Sequence, residues 1–126
     1  MRPVKQDRLY SPEGISNGNC FAACLASLLD LKLWMVPPFE DMFGRDEWRN
    51  RVKEWLGKMF KMDIIYYDHH KTENMPEFYI ASGKSKRGVY HSVIYSNGVL
   101  VHDPHPSNDG IDSVEWVYVL EPTNES

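Results

Sequence analysis

Asn17-Gly18-Asn19-Cys20-Phe21-Ala22-Ala23-Cys24-Leu25-Ala26-Ser27-Leu28-Leu29-Asp30 is the stretch on which the fold turns. The residues before it, 11 to 19, are dense in turn formers and read as a loop. From Cys20 onward the run is rich in Ala and Leu and apolar almost all round, the pattern of a helix buried on every side. Asn17 or Asn19 is available to cap its start. Cys20 then falls in the first turn, and Cys24 lies one turn later on the same face. A disulfide between them would distort the helix. Both are expected as free thiols in a reducing, cytoplasmic setting.

Beyond this run, Pro37-Pro38 is expected to forbid helix and leave a connector carrying Trp34, Val36 and Phe39. From about Asp46 to Phe60, Trp48, Val52, Trp55, Leu56, Met59 and Phe60 recur at helical spacing. Arg49, Arg51, Lys53, Glu54 and Lys58 fill the other side, so a half-buried amphipathic helix is expected. The pattern then changes to β-branched and aromatic runs at 64–67, 78–80, 89–95, 99–102 and 114–120, with Asn97-Gly98 the clearest hairpin signal. Helices first and strands afterwards predict an α+β domain in which the buried helix packs on an antiparallel sheet. Residues 122 to 126 read as a tail.

The chain has 126 residues, 25% charged and 42% hydrophobic, which predicts one globular domain spanning 1–126. A domain of this size buries roughly two-thirds of its unfolded surface and needs no staples. The net charge of −4 and the scattered Lys and Arg argue against nucleic acid as a partner. The charged N-terminus has no apolar stretch behind it, so no signal peptide is expected. No run of about twenty apolar residues predicts a membrane span.

Chemistry is suggested by three positions. A cysteine nucleophile reacts as its thiolate, and a helix N-terminus or a nearby imidazolium lowers a thiol pKa that is otherwise about 8.5. Cys20 is placed for the first of these effects. The Gly/Asn loop before it suits an oxyanion hole, where backbone N–H groups must approach a substrate oxygen. Later, Val89-Tyr90-His91-Ser92-Val93-Ile94-Tyr95 puts a His near the start of a strand, and the next strand ends in Val101-His102-Asp103-Pro104. A carboxylate at Asp103 can hold the His91 imidazole in one tautomer and stabilise its charged form.

At these residues the chain resembles the papain-like cysteine peptidases, and is closest in pattern to the bacteriocin-processing peptidases that cut after double glycine. Their order of Cys, His and Asp-Pro matches Cys20, His91 and Asp103-Pro104. Asn17-Gly18-Asn19-Cys20 also resembles the Asp-Gly-Asn-Cys motif of ovarian-tumour-type deubiquitinases, with Asn17 in place of Asp. As a whole the chain is similar to short proteins of tailed phages and bacteria. The resemblance implies a papain-like fold and a cysteine hydrolase (peptidase, isopeptidase or deamidase) with Cys20, His91 and Asp103 as triad. It implies a protein or peptide substrate and no cofactor. The double-glycine peptidases carry an oxyanion-hole Gln six residues before the Cys, where this chain has Gly14. Gln6, if the loop folds back, is one alternative, and Asn17 and Asn19 are the local ones.

Other readings of the same residues stand beside this one. A Cys in an Ala/Leu-rich helix is commonly a small core residue, which describes Cys24. His91 can be a strand histidine satisfied by its neighbours, and Asp103 before Pro a turn former. His102 and His105 are rival bases. Cys20, Cys24, His91, His102 and His105 are nominal zinc ligands, but only one Cys pair exists, and no metal is expected. A papain-like domain that has lost catalysis and binds a partner protein, phage-encoded as the whole-chain likeness implies, is the alternative function. Finally, strand parity bears on the triad. A two-residue Asn97-Gly98 loop puts His91 and Asp103 on opposite faces, whereas a three-residue Ser96-Asn97-Gly98 loop pairs Tyr95 with Val99 and sets them on one face. The three-residue loop, with positive φ at Gly98, is therefore expected.

Overall fold

The apolar run folds as α1 (Cys20–Leu28), with every side chain from Phe21 to Ser27 buried. The structure, a computed structural model, describes residues 1–11, 13, 16–44 and 46–123, so Gly14 and the end of the expected tail lie outside it. Ser27 is the polar exception inside α1, and it is fully satisfied. Its hydroxyl donates to the Ala23 carbonyl at 2.8 Å and accepts the Val4 N–H at 2.9 Å. Arg2 N–H also donates to the Ser27 carbonyl. The N-terminal segment is thereby laid along α1, which composition alone did not suggest.

After α1 come a 3-10 turn (Leu33–Met35), α2 (Phe39–Met42) and α3 (Trp48–Phe60). The expectation that Pro37-Pro38 excludes helix is corrected: Pro38 is the cap residue of α2. Proline is tolerated at a helix start, where its missing N–H would have no intrahelical acceptor. In α3, Val52 and Leu56 are buried and Trp48, Trp55 and Phe60 pack against the same core. Met59, expected on that face, is instead 64% exposed.

Five strands follow: β1 (Met62–Tyr67), β2 (Tyr79–Lys84), β3 (Tyr90–Ser96), β4 (Val99–His102) and β5 (Trp116–Pro122). They form one antiparallel sheet in the order β1-β5-β2-β3-β4, so the fold is α+β as expected. Alternation along the strands makes two cores. Ile80, Ile94 and Tyr118 face the helices and meet Phe21, Leu25, Val52 and Leu56. Tyr79, Ala81, Val93, Val117 and Val119 face the other way and are covered by residues between the strands, among them Met75, Ile111 and Val114. Gly83 permits that cover. A Cβ there would stand 2.0 Å from the Ser113 carbonyl oxygen.

No helix among the described residues is long and apolar enough to cross a membrane.

Candidate active site

The β3–β4 hairpin decides whether His91 and Asp103 can meet. Ser96 pairs with Val99 and Tyr95 with Leu100, so the loop is the two-residue Asn97-Gly98 turn and the three-residue expectation is overturned. Both turn residues have positive φ, 52° at Asn97 and 77° at Gly98, the backbone of a type I′ turn. Such a turn matches the right-handed twist of the strands, and Asn followed by Gly is the pair that tolerates it best. By itself this register would separate His91 from Asp103. The ladder then shifts by one residue between Tyr95 and Ile94, so that Ile94 pairs with His102. Val101 is the extra residue of the bulge. The expected pairing of Tyr95 with Val99 is corrected as well, since Leu100 is the residue opposite Tyr95.

Beyond the bulge, Asp103 shares a face with Val93 and His91, and the pair closes. His91 Nε2 lies 2.6 Å from Asp103 Oδ1, with both residues only 4% exposed. The N–H groups of His105 (2.9 Å, to Oδ1) and Gly110 (2.8 Å, to Oδ2) also donate to the Asp103 carboxylate. Burial alone would raise the Asp103 pKa. The His91 ring and the two backbone donors outweigh it and hold the pKa at about 2. An ionised Asp103 keeps the proton of neutral His91 on Nε2, leaving Nδ1 with the lone pair a base needs.

This has a consequence for stability. A carboxyl whose folded pKa lies below its unfolded value of about 3.9 stabilises the fold above that pH, and the contribution is lost as pH falls toward 2. For Asp103 that amounts to about 2 kcal/mol. Asp103→Asn is expected to lose about this much at pH 7 and to flatten the fall in stability between pH 4 and 2. Urea unfolding at several pH values reads both, and an unchanged acid limb would place the acid sensitivity elsewhere.

Cys20 is the first residue of α1, as expected, and Cys24 one turn later is fully buried; both thiols are free. Cys20 and His91 line the same two cavities. No hydrogen bond joins them among the described residues; the backbone N–H groups of Ser92 and Phe21 approach the sulfur instead. The expectation of a lowered thiol pKa is corrected. Burial, reinforced by the Glu40 carboxylate, pushes Cys20 up to about 12 against the pull of those N–H groups. The resting site therefore holds a neutral thiol.

Gln6 does fold back. Its backbone N–H donates to the Pro104 carbonyl at 3.0 Å, and its side chain lines a cavity with Cys20. One hydrogen of its amide is used by the Arg8 carbonyl at 2.7 Å, and a primary amide has a second. Asn17 also lines the cavities, but its Nδ2 donates to the Glu40 carbonyl at 3.0 Å. Neither Asn caps α1 with its side chain. Asn19 instead accepts the Arg8 N–H and donates to Asp7. The orphan N–H of Phe21 is taken by Glu40 Oε2 at 3.0 Å, a contact across 19 residues with no local sequence signal.

Each rival base has one ring nitrogen engaged, although His105 still lines a cavity with Cys20. His102 Nε2 pairs with the Val4 carbonyl at 2.7 Å. His105 Nδ1 pairs with Ser107 Oγ at 2.9 Å, and its ring meets His91 edge-on. Among the described residues no three His, Cys, Asp or Glu side chains are grouped to hold a metal ion.

Two cavities flank Cys20, Tyr90 and His91. One, of about 270 Å³, has walls of Phe21, Phe43, Trp48, Trp116 and Tyr118. The other, of about 540 Å³, runs past Leu9, Tyr10, Arg87 and His105. Scans of family models, curated proteins and solved structures each return no match to this chain.

Proposed function

We propose that the chain is a papain-like cysteine hydrolase acting on a protein or peptide, with Cys20 as nucleophile, His91 as base and Asp103 as its orienting acid. One observation carries the reading: a buried His91–Asp103 pair whose other ring nitrogen has no partner among the described residues, in a cavity wall shared with a Cys at a helix N-terminus. Because the resting thiol is neutral, its proton leaves as the sulfur attacks rather than beforehand. Cys20 Sγ bonds to the carbonyl carbon while His91 Nδ1 takes the proton. The oxyanion is met by the Cys20 N–H, which has no intrahelical acceptor, and by the second amide hydrogen of Gln6. Collapse expels the leaving group with the proton from His91. Water then adds to the thioester with His91 again as base, releasing the acid and restoring the thiol.

The resting thiol and imidazole must close to hydrogen-bond distance when substrate is bound, as catalytic hydrogen bonds commonly do. The two cavities suit an extended substrate crossing between them, with an apolar side chain against Trp48 and Trp116. Trp116 Nε1 is buried in the cavity wall beside the Tyr118 hydroxyl.

A second reading is favoured by the high Cys20 pKa and the missing thiol–imidazole bond: a papain-like domain that binds a protein without turning it over. Labelling with peptide and ubiquitin-like acyl electrophiles separates the two. A hydrolase is expected to form an adduct that maps to Cys20 and disappears in His91→Ala. Binding of the same probes with no adduct would support the second reading.

A further inference from the structure

Glu40 is absent from the mechanism above, yet it occupies the corner beside the nucleophile. It sits on α2, and its Oε2 accepts the Phe21 N–H at 3.0 Å in the first turn of the helix that Cys20 begins. Its Oε1 is sealed from solvent and has no partner among the described residues. It lines the aromatic-walled cavity together with Cys20.

The charged groups around it leave it unneutralised. On its own helix, Asp41 takes the Asn17 N–H, the Ser16 hydroxyl and Arg8. Across the cavity on α3, Arg49 lies over the Trp48 ring at 5.0 Å and donates to the Tyr118 hydroxyl at 2.6 Å. On the sheet, His91 is held by Asp103, whose own negative charge adds to the opposition at Cys20. From α1 come Cys20 itself and the helix N–H groups.

We propose that Glu40 is a positioning residue that gates Cys20: its neutral carboxyl permits the thiolate, and its carboxylate opposes it. The proposal rests on Cys20 being the nucleophile. A helix N-terminus favours one anion in its first turn. Here two acidic groups compete for it, Glu40 through the Phe21 N–H and Cys20 one residue before it, and neighbouring like charges in a desolvated site do not both ionise readily. Burial is the main reason Glu40 is raised to about 7, and Glu40 is in turn the leading charge acting against Cys20. The two therefore titrate as one coupled system. One proton leaves near neutrality and the second only at high pH. Between the two steps, a fixed small fraction of molecules carries the thiolate with Glu40 protonated.

That arrangement has a kinetic signature that an isolated thiol lacks. Alkylation of Cys20 by iodoacetamide, followed residue by residue with mass spectrometry, is expected to rise with pH, level off just above pH 7, and rise again above about pH 10. Glu40→Gln keeps an acceptor for the Phe21 N–H but cannot ionise. It is expected to show a single rise without the inflection, and at least about tenfold faster alkylation at pH 9, one pKa unit being tenfold. A wild-type profile with no inflection near pH 7 overturns the proposal even if Glu40→Gln does not fold. An unchanged profile in a folded Glu40→Gln protein overturns it equally. Alkylation needs no turnover, so failure of the hydrolase reading is distinguishable. In that case the inflection stands while acyl electrophiles leave Cys20 unlabelled.

Discussion

Cys20→Ala is expected to abolish both acyl-adduct formation and turnover while leaving the melting transition close to wild type. In the proposed mechanism the Cys20 sulfur is the group that forms the covalent bond. His91→Ala is expected to lower the rate of adduct formation by about 10³-fold, the usual contribution of a positioned base. The resting thiol makes this dependence steep, because burial and Glu40 hold its pKa at about 12 and almost no thiolate exists without a proton acceptor. Cys24→Ala provides the contrast. Cys24 is wholly buried one turn further along α1, so its trimming is expected to cost about 1 kcal/mol of stability and leave activity in place. Equal loss of activity from both cysteine variants would remove the distinction on which the proposed mechanism rests.

The largest effect on stability is expected at Gly83. This residue pairs with His91 across β2 and β3, and the chain segment leading to β5 crosses directly over it. An added methyl would lie 2.0 Å from the Ser113 carbonyl oxygen, a rigid backbone atom. Gly83→Ala must therefore displace that segment or the sheet, at an expected cost of about 3 kcal/mol. It should also loosen the His91–Asp103 pair, because Gly110, a donor to Asp103, precedes the displaced segment. Gly57 is the control. It lies inside α3 with nothing within 4 Å of a Cβ, so Gly57→Ala is expected to stabilise by about 0.5–1 kcal/mol. Urea unfolding of the two variants side by side tests the pair of signs. A Gly83→Ala protein as stable as wild type would mean the crossing segment can move freely.

Period and composition carried much of the fold. The Ala/Leu run from Cys20 has no polar face, so burial on all sides was its one stable outcome. The alternating apolar runs after residue 61, punctuated by turn residues, led directly to a five-stranded antiparallel sheet. The positions of Cys20, His91 and Asp103 on their elements were legible for the same reason: each stands where a loop meets a run of regular period. What lay outside that reading was every contact made across the chain. The bulge at Val101 depends on how the hairpin packs, since the Asn97-Gly98 turn alone predicts the register that would part His91 from Asp103.

The sequence by itself determined the class of fold, the order of its elements and where on them the candidate residues Cys20, His91 and Asp103 stand, because periodicity and turn chemistry act over a few neighbours. Tertiary structure alone decided the electrostatics around Cys20. Glu40, 20 residues from Cys20, takes an N–H in the first turn of α1 and sets its charge against the thiol, and burial adds the rest. Burial and charge pairing depend on which distant segments meet, and no local pattern records that.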